Sequence, residues 1–515
     1  MSPRPALIVI AVVFAILNAD ITTVNVALVT VGKDLHAELE DLQWGLNSYM
    51  LAFAALIVAA GRLADVFGHR RCLLVGSLLF AIASLICGIA PTLSVLVMGR
   101  VLQGAGGALM LPSGMAIISA AYSGEKRAAA LGILVGMAGV AQSIGPLVGG
   151  FLTAEVSWRF IFLVNLPLIA IIMIVALRGI QESRDETVSR RVDVPGVIFL
   201  ASALTSLLIA LDLAQGSDRN PTLAIGLTSL SLILFGVFTM VERVTINAIV
   251  DGKLLRLRPF LCSCVASCLL GFVFFLFLFI AALYLQEELG YSAFTAGIAL
   301  VPFSLVLAVT GVTAGRLTSR FQLAHLLIAS CVSMALGLVT LSFLPASYGY
   351  LGMVFPFILV AAGAGPGFTL LNTAGLAVVP PKRSGQAAGI IYMFRFGGGA
   401  IGVAVASVLH GAFFNNQLIA RLSETPLSAA QQRLLEQPGA VERLRQLESG
   451  LMANQIEQIR LAFHESFAAA FANTLRLNVI LPIMIAVLVI VLMGRQRKSV
   501  EALTVDSSPN ESFSK

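Results

Sequence analysis

The sequence predicts an all-α polytopic membrane protein of fourteen transmembrane helices, built as two six-helix halves with a two-helix insert between them. Composition, the placement of charge and an internal repeat carry that expectation. Of 515 residues, 58% are hydrophobic and only 12% are charged. A soluble domain carries about 25% charged residues, so this chain has too few to coat a water-exposed surface of its size. Apolar runs bounded by turn residues place spans near 6–29, 44–63, 72–90, 93–121, 128–152, 160–177, 194–213, 222–241, 260–284, 295–315, 325–344, 350–379, 385–409 and 467–492. Helices of about 20 residues in this number occupy on the order of 300 residues, close to the apolar share. A single-anchor enzyme is excluded.

The net charge of +6 would raise the question of nucleic acid in a soluble protein, but the position of the charges decides otherwise. Arg4 precedes the first run, and Arg62, Arg70 and Arg71 follow the second. Lys126 and Arg127 follow the fourth, Arg316 and Arg320 the tenth, Lys382 and Arg383 the twelfth, and Arg495, Arg497 and Lys498 the last. The short loops on the other side carry little beyond Lys33, Arg159 and Arg219. This is the positive-inside pattern of a multi-pass protein of the cell membrane, inner or plasma, with both termini cytoplasmic. The expected surroundings are lipid bilayer and no nucleic acid. The apolar run from Ala6 continues past Asp20 to Val29 without a cleavage motif and reads as a retained first span.

Six cysteines lie in or beside apolar runs, which implies no disulfide framework. Cys262, Cys264 and Cys268 cluster at the start of span nine, but they lack a nearby histidine or a paired CxxC and read as small packing residues rather than a metal site. No metal and no cofactor is expected. HExxH, GxSxG and P-loop motifs are missing from the sequence, and the five histidines are scattered, which argues against an enzyme and against direct ATP hydrolysis.

A repeat of roughly 255 residues turns many spans into an architecture. Gly61-Arg62-Leu63 through Phe67 recurs as Gly315-Arg316-Leu317 through Phe321, Lys126-Arg127 with Gly132 recurs as Lys382-Arg383 with Gly389, and Gly104-Ala105-Gly106 recurs as Gly363-Ala364-Gly365. The expected division is 1–180 as the first half, 181–258 as a linker carrying spans seven and eight, 259–494 as the second half, and 495–515 as a polar cytoplasmic tail. Parallel halves with a midplane site between them are a standard transporter construction. Within the second half, 413–466 reads as a long extracytoplasmic loop. Ser428 with Gln431 fits a capping box, Pro438-Gly439 breaks the helix, and Leu444, Leu447 and Leu451 form a stripe, so a helical hairpin is expected there. It covers its own bundle or binds an extracytoplasmic partner protein.

Across all the spans, Asp20 is the only acidic residue near mid-membrane. An aspartate at the centre of a span costs about 2.5–3.5 kcal/mol on the milder insertion scale, so it marks a proton, ion or substrate path. The bland alternative is a structural carboxyl satisfied by Thr22, Thr23 and Asn25. Arg100 sits at a similar depth in span four, counted at about 1.5 Å per residue, so the two can pair. Burial favours the neutral acid and a neighbouring guanidinium favours the carboxylate, so moving Arg100 relative to Asp20 would switch proton uptake. Gln103, one turn deeper, orients the pair or contacts substrate; Arg100 alternatively snorkels to the interface. In span five, Gly132, Gly136, Gly139, Gly145, Gly149 and Gly150 make a small-residue stripe, and Gly145-Pro146 predicts a break. Arg395 lies near mid-membrane in span thirteen: it binds an anionic substrate group, faces Asp20 across the cavity, or bonds carbonyls near the Gly397–Gly399 cluster. Phe272, Phe275 and Phe279 recur at helical spacing and line a lipophile cavity or face lipid.

Asp20 through Leu28, Gly61 through Arg71, Arg100 through Gly104 with Pro112, Gly145-Pro146-Leu147-Val148-Gly149-Gly150, Trp158 through Phe162, and Arg395 before Gly397 together resemble the major facilitator superfamily, specifically its fourteen-span drug:proton antiporter branch. The resemblance implies export of amphiphilic small molecules, drugs among them, from the cytoplasm in exchange for protons. It implies Asp20 and Arg100 as the proton-coupling pair, with Asn25, Gln103, Phe275, Phe279 and Arg395 at the substrate cavity. Gly61, Asp65, Gly68, Arg70 and Arg71 then form a cytoplasmic gate, with the arginines beside Asp65, and Gly145, Pro146, Gly149 and Gly150 the antiporter helix motif. Val29 and Ser319 depart from the pattern, the first where proline is usual and the second where the repeated gate has its acid. No acid occurs between Glu288 and Glu424, which favours neutral, zwitterionic or singly charged lipophiles over multivalent cations. The competing readings are a carrier of one specific metabolite, a membrane enzyme and a passive channel.

Overall fold

A computed structural model describes residues 3–35, 39–184, 193–213, 220–245, 252–344, 348–379, 384–422 and 453–493. Those residues are helical apart from turns and short connections, with no strand among them. Twelve of the described helices are long and apolar enough to cross a membrane.

The first half comprises α1 (Pro3–Leu35), α2 (Leu39–Phe67), α3 (His69–Gly88), α4 (Leu93–Ala121), α5 (Gly124–Glu155) and a sixth pass in two pieces, α6 (Phe160–Leu163) and α7 (Asn165–Gly179). A pair follows, α8 (Val194–Leu213) and α9 (Pro221–Val244), then a short α10 (Gly252–Arg256). The second half comprises α11 (Arg258–Leu283) ending in a π turn at 284–288, α12 (Ala293–Ala299) with α13 (Val301–Leu317), α14 (Leu323–Ser342), α15 (Gly349–Ala377), α16 (Ser384–Leu422), and α17 (Ala453–Asn478) with α18 (Ile480–Met493). Helix starts follow local chemistry. Asn220 accepts the Leu223 N–H at 3.1 Å ahead of Pro221, and Ser292 accepts the Thr295 N–H at 3.2 Å.

The repeated glycines explain the packing. Gly106 of α4 lies on the backbone of Gly76 and Phe80 in α3, and Gly363, in the matching glycine cluster of α15, lies on Ser330 and Met334 in α14. The halves meet along two seams, α5 against α13 and α2 against α16. Each seam is closed by one member of a repeated pair. A Cβ on Gly132 would stand 2.8 Å from the Gly311 carbonyl, and one on Gly389 would stand 2.9 Å from that of Ile57. The same sequence feature thus builds the same close approach twice. Outside this bundle α8 and α9 pack on each other, with Ser231 donating to the Ala203 carbonyl at 2.8 Å, and α8 leans on α2 and α16.

One expectation is corrected. The break at Gly145-Pro146 does not occur, because α5 runs unbroken from Gly124 to Glu155. A proline is tolerated inside a membrane helix where neighbouring groups re-satisfy the freed backbone, and here Gly145 and Gly149 seat the helix directly on Thr22 and Thr23 of α1. Within the segment 413–466 expected outside the membrane, both ends are helical. α16 continues to Leu422 and α17 begins at Ala453, and these extensions pack through Phe414, Leu418, Leu422, Ile459 and Phe463 and an Arg421–Glu465 ion pair. The capping box at Ser428, Pro438-Gly439 and the leucine stripe lie outside the described residues.

Candidate functional site

Helices α1, α2, α3, α4, α6 and α7 of the first half converge around one buried carboxylate. Arg100 of α4 donates through NH1 to Asp20 Oδ2 of α1, and Asn165 Nδ2 at the start of α7 donates to Asp20 Oδ1 at 3.3 Å. The same Arg100 NH1 donates to Gln103 Oε1 at 2.8 Å, and Gln103 Nε2 donates to Ser84 Oγ of α3 at 2.8 Å. The Tyr49 ring of α2 covers the guanidinium, its centroid 4.4 Å from Cζ, and Phe162 lies beyond at 5.9 Å. Asp20 is 4% and Arg100 1% exposed. The spacing of Arg100 and Gln103 puts both on one face of α4, so a single helix supplies the cation and the amide that orients it. Removing either member of such a buried pair strands the other, at a cost of about 3–5 kcal/mol.

Thr22 and Thr23 do not satisfy Asp20. Both hydroxyls donate to the Ala19 carbonyl of their own helix, at 3.1 and 2.7 Å. Asn25 is on α1, and its side chain lies outside the described ones.

Between the halves lies a cavity of about 50 Å³ whose lining includes Phe14 and Asn18 of α1, Phe275 of α11, Phe368 of α15, and Arg395 and Phe396 of α16. Asn18 and Asp20 are two residues apart, about 200° around the helix, so α1 presents the amide to the cavity and the acid to the interior of its own half. Arg395 therefore does not face Asp20. It donates through NH2 to Asn372 Oδ1 at 3.0 Å and to the Phe368 carbonyl at 3.5 Å, and lies between the Phe368 and Tyr392 rings at 4.6 and 4.5 Å. Two cavity expectations change. Gln103 is wholly buried behind Arg100 and lines no cavity described, and Phe279, two turns along from the Phe272 level, packs against the core of the second half instead. Phe275 keeps its place at the cavity. Asn18, Asn372, Tyr392 and Tyr49 are not among the candidates read from the sequence; a polar side chain within an apolar run is the signal that could have found them.

The end of the bundle rich in lysine and arginine holds the remaining motif. Asp65, near the end of α2, accepts the Gln386 backbone N–H through Oδ2 at 2.8 Å, at the first turn of α16. It pairs through Oδ1 with His69 Nε2 at 3.0 Å, and His69 Nδ1 meets Ser183 Oγ at 2.8 Å. An acid from one half thus sits at the positive end of a helix dipole from the other. Arg70 and Arg71 are not beside Asp65, as expected; both of their backbone N–H groups donate to Glu182, at 3.0 and 3.1 Å, and Arg71 Nε lies 3.7 Å from it. Gly68 takes φ +110 in the turn between α2 and α3, and a Cβ there would run into the Glu182 carboxylate. Gly61 continues α2. Where the repeat places Ser319 instead of an acid, the seam opens into a cleft lined by Lys126, Thr313, Arg316, Ser319 and Arg320. Of the fifth-helix motif, Gly149 lies 2.7 Å, by its would-be Cβ, from the Thr23 carbonyl, and Gly150 faces Phe294 of α12; the Pro146 side chain lies outside the described ones.

Comparison with known proteins agrees with this arrangement. Residues 8–403 match the family described as Major Facilitator Superfamily. The tetracenomycin C resistance and export protein of Streptomyces glaucescens is 31% identical over 409 residues, 79% of this chain and 76% of that protein. The lincomycin resistance protein of Streptomyces lincolnensis is 32% identical over 409 residues, 78% of this chain and 82% of that protein. Among solved structures, the proton:xylose symporter XylE bound to 6-bromo-6-deoxy-D-glucose superposes with a TM-score of 0.58 at 14% identity, covering 93% of this chain and 94% of that one, which speaks for the fold.

Proposed function

Because the chain belongs to the Major Facilitator Superfamily, whose members are transporters and not enzymes, we propose that it exports amphiphilic small molecules in exchange for protons by alternating access. The observation that carries this is the Asp20–Arg100 pair, sealed in the first half and one helix face away from the central cavity. An ion pair buried this deeply is stable only while both members are charged and together. A rearrangement that draws α4 from α1 leaves the carboxylate without its cation, and a proton then neutralises it. Such a change reaches the other half through α5, which rests on Thr22 and Thr23 beside Asp20 and, further along, on Gly311 and Ala308 of α13. The two named relatives, one an export and one a resistance protein, favour drug-like cargo over a single nutrient.

In this reading α5 and α8, whose apolar stretches at 129–141 and 195–207 are shorter, complete fourteen spans, with α8 and α9 as the inserted pair. The basic end faces the cytoplasm with both termini, and the Asp65–Gln386 contact is a closed cytoplasmic gate. Each charge moved through a 100 mV potential is worth about 2.3 kcal/mol, enough to drive uphill export.

The test is Asp20→Asn in proteoliposomes with an imposed pH gradient and a panel of fluorescent amphiphiles. The expected outcome is a folded protein that no longer accumulates substrate against its gradient but still exchanges it down the gradient. Uphill accumulation at the wild-type rate would remove Asp20 from the coupling role. Transport of a single compound from a broad panel would favour the metabolite carrier.

A further inference from the structure

We infer that the central cavity selects amphiphiles bearing an anionic group, a carboxylate or a phenolate, and that Arg395 receives it. This rests on the reading of that cavity as the place where cargo binds. It names the class of cargo, which neither the family nor the fold fixes.

Three independent observations converge. The first is a guanidinium without an acid. Arg395 is 5% exposed, and every acceptor it reaches is neutral: the Asn372 amide, the Phe368 carbonyl, the Tyr392 hydroxyl and the faces of two aromatic rings. Its Nε is buried with no hydrogen-bond partner among the described residues. The second is sequence. From Arg258 to Gln286 and from Leu289 to Ser423 there is no aspartate or glutamate, so the membrane-embedded part of the second half has no counter-ion to offer. Asp20, on the neighbouring half, is already bound to Arg100 and turned away. The third is position. Arg395 is part of the cavity wall, with Phe275 and Phe396 beside it and Asn18 of the other half across from it.

A buried guanidinium presents five N–H donors in a planar fork that matches a carboxylate, and charge-assisted bonds of this kind are roughly twice as strong as neutral ones. With NH2 held by Asn372 and the Phe368 carbonyl, the Nε–H is the buried donor left for a ligand. The rings that clamp the guanidinium through cation–π contact fix its plane and offer an apolar wall for the body of the same ligand. A cationic amphiphile would meet like charge at close range in a low-dielectric site. An inside-negative potential also drives an anion outward, so cargo of this sign moves with the field rather than against it.

The test uses three probes of one shape and different charge on the purified full-length protein: 1-naphthoate, 1-naphthamide and 1-naphthylmethylammonium. Binding is read by displacement of fluorescence, with wild type, Arg395→Gln and Arg395→Lys side by side. Wild type is expected to hold naphthoate about tenfold or more tighter than naphthamide, and the ammonium weakest of the three. Arg395→Gln is expected to bring the naphthoate to naphthamide ratio close to one while leaving naphthamide affinity in place, and Arg395→Lys to restore part of the ratio. A wild-type ratio at or below one, or a ratio unchanged in Arg395→Gln, overturns the inference. PH-driven export of the same probes separates the two proposals. Anion preference in binding without export strikes the transport reading alone, whereas export of naphthamide with no preference for naphthoate strikes this one alone.

Discussion

Each half of the molecule buries one guanidinium against an aromatic ring near mid-membrane, and the two are finished differently. Arg100 touches Tyr49 and holds Asp20, with Gln103, Ser84 and Asn165 completing the shell. Arg395 touches Phe368 and Tyr392 and holds only neutral groups. The first is electrostatically closed within its own half. The second is open toward the space between the halves. The two halves have thus been divided, one keeping a charge pair that a proton can dissolve and the other keeping a charge that something from outside must meet.

The sharpest way to break that contrast is to delete each guanidinium in turn. Arg100→Ala leaves a buried carboxylate without its cation and should cost about 3–5 kcal/mol, read as a large fall in thermal stability of the purified protein. Asp20→Asn in the same chain should return most of it, because no charge is then stranded. Arg395→Gln strands no charge and should cost less, about 1–3 kcal/mol for the buried Asn372 acceptor left without its donor. Equal losses from the two deletions would mean that the second arginine has a counter-ion after all.

The gate copies carry the same asymmetry at the basic end. Asp65 reaches across to the Gln386 N–H, whereas Ser319 occupies the matching place beside an open basic cleft. A hydrogen bond to a charged group is worth about 1.5–3 kcal/mol, so Asp65→Asn should raise the population open at that end by about tenfold or more. Alkylation of a cysteine at Ala138, which lines the central cavity, in a background free of native cysteines, measures that population directly. Ser319→Asp should leave the rate unchanged unless it finds a helix terminus to cap. A smaller effect is expected at the turn beside the gate. Gly68→Ala places a side chain at φ +110 and against Glu182, at about 1–3 kcal/mol. Glu182→Ala should relieve the contact and leave the backbone strain, so the double variant recovers only in part.

Much of this was legible in the chain. The repeat at Gly132 and Gly389 marks both seams, because a glycine where two helices must touch leaves a trace in one sequence as plainly as in an alignment. The depth of Asp20 and Arg100 within their spans follows from rise per residue alone, which makes their pairing possible. What was not legible is azimuth. Nothing in linear order tells that Asn18 faces the cavity while Asp20 faces away, or that Gln103 turns inward behind Arg100 rather than toward cargo. Long-range acceptors were equally hidden. Arg70 and Arg71 lie close to Asp65 in sequence, yet Glu182, more than a hundred residues on, takes both of their N–H groups, because the tight turn at Gly68 points them at the linker. The break expected at Gly145-Pro146 failed for a related reason: propensity weighs a residue alone, and the neighbour against which α5 packs there is on α1.

The smallest predicted effect provides the control for the largest. Asp34 and Arg159 form the same kind of pair between the same α1 and the connection after α5, at 2.5 Å, with Trp158 Nε1 also donating to Asp34 at 3.0 Å. Their side chains are 45% and 33% exposed. Water already solvates both charges, so an ion pair of this sort contributes about 0–1 kcal/mol. Asp34→Asn should therefore shift thermal stability by less than that and leave the pH dependence of export where it was, while the tryptophan keeps its acceptor. Asp20 and Asp34 share a helix, a residue type and an arginine partner, and they differ most in burial. If Asp34→Asn moved the pH profile as Asp20→Asn does, burial would not be what makes the first pair a proton switch, and the division between the two halves would lose its physical basis.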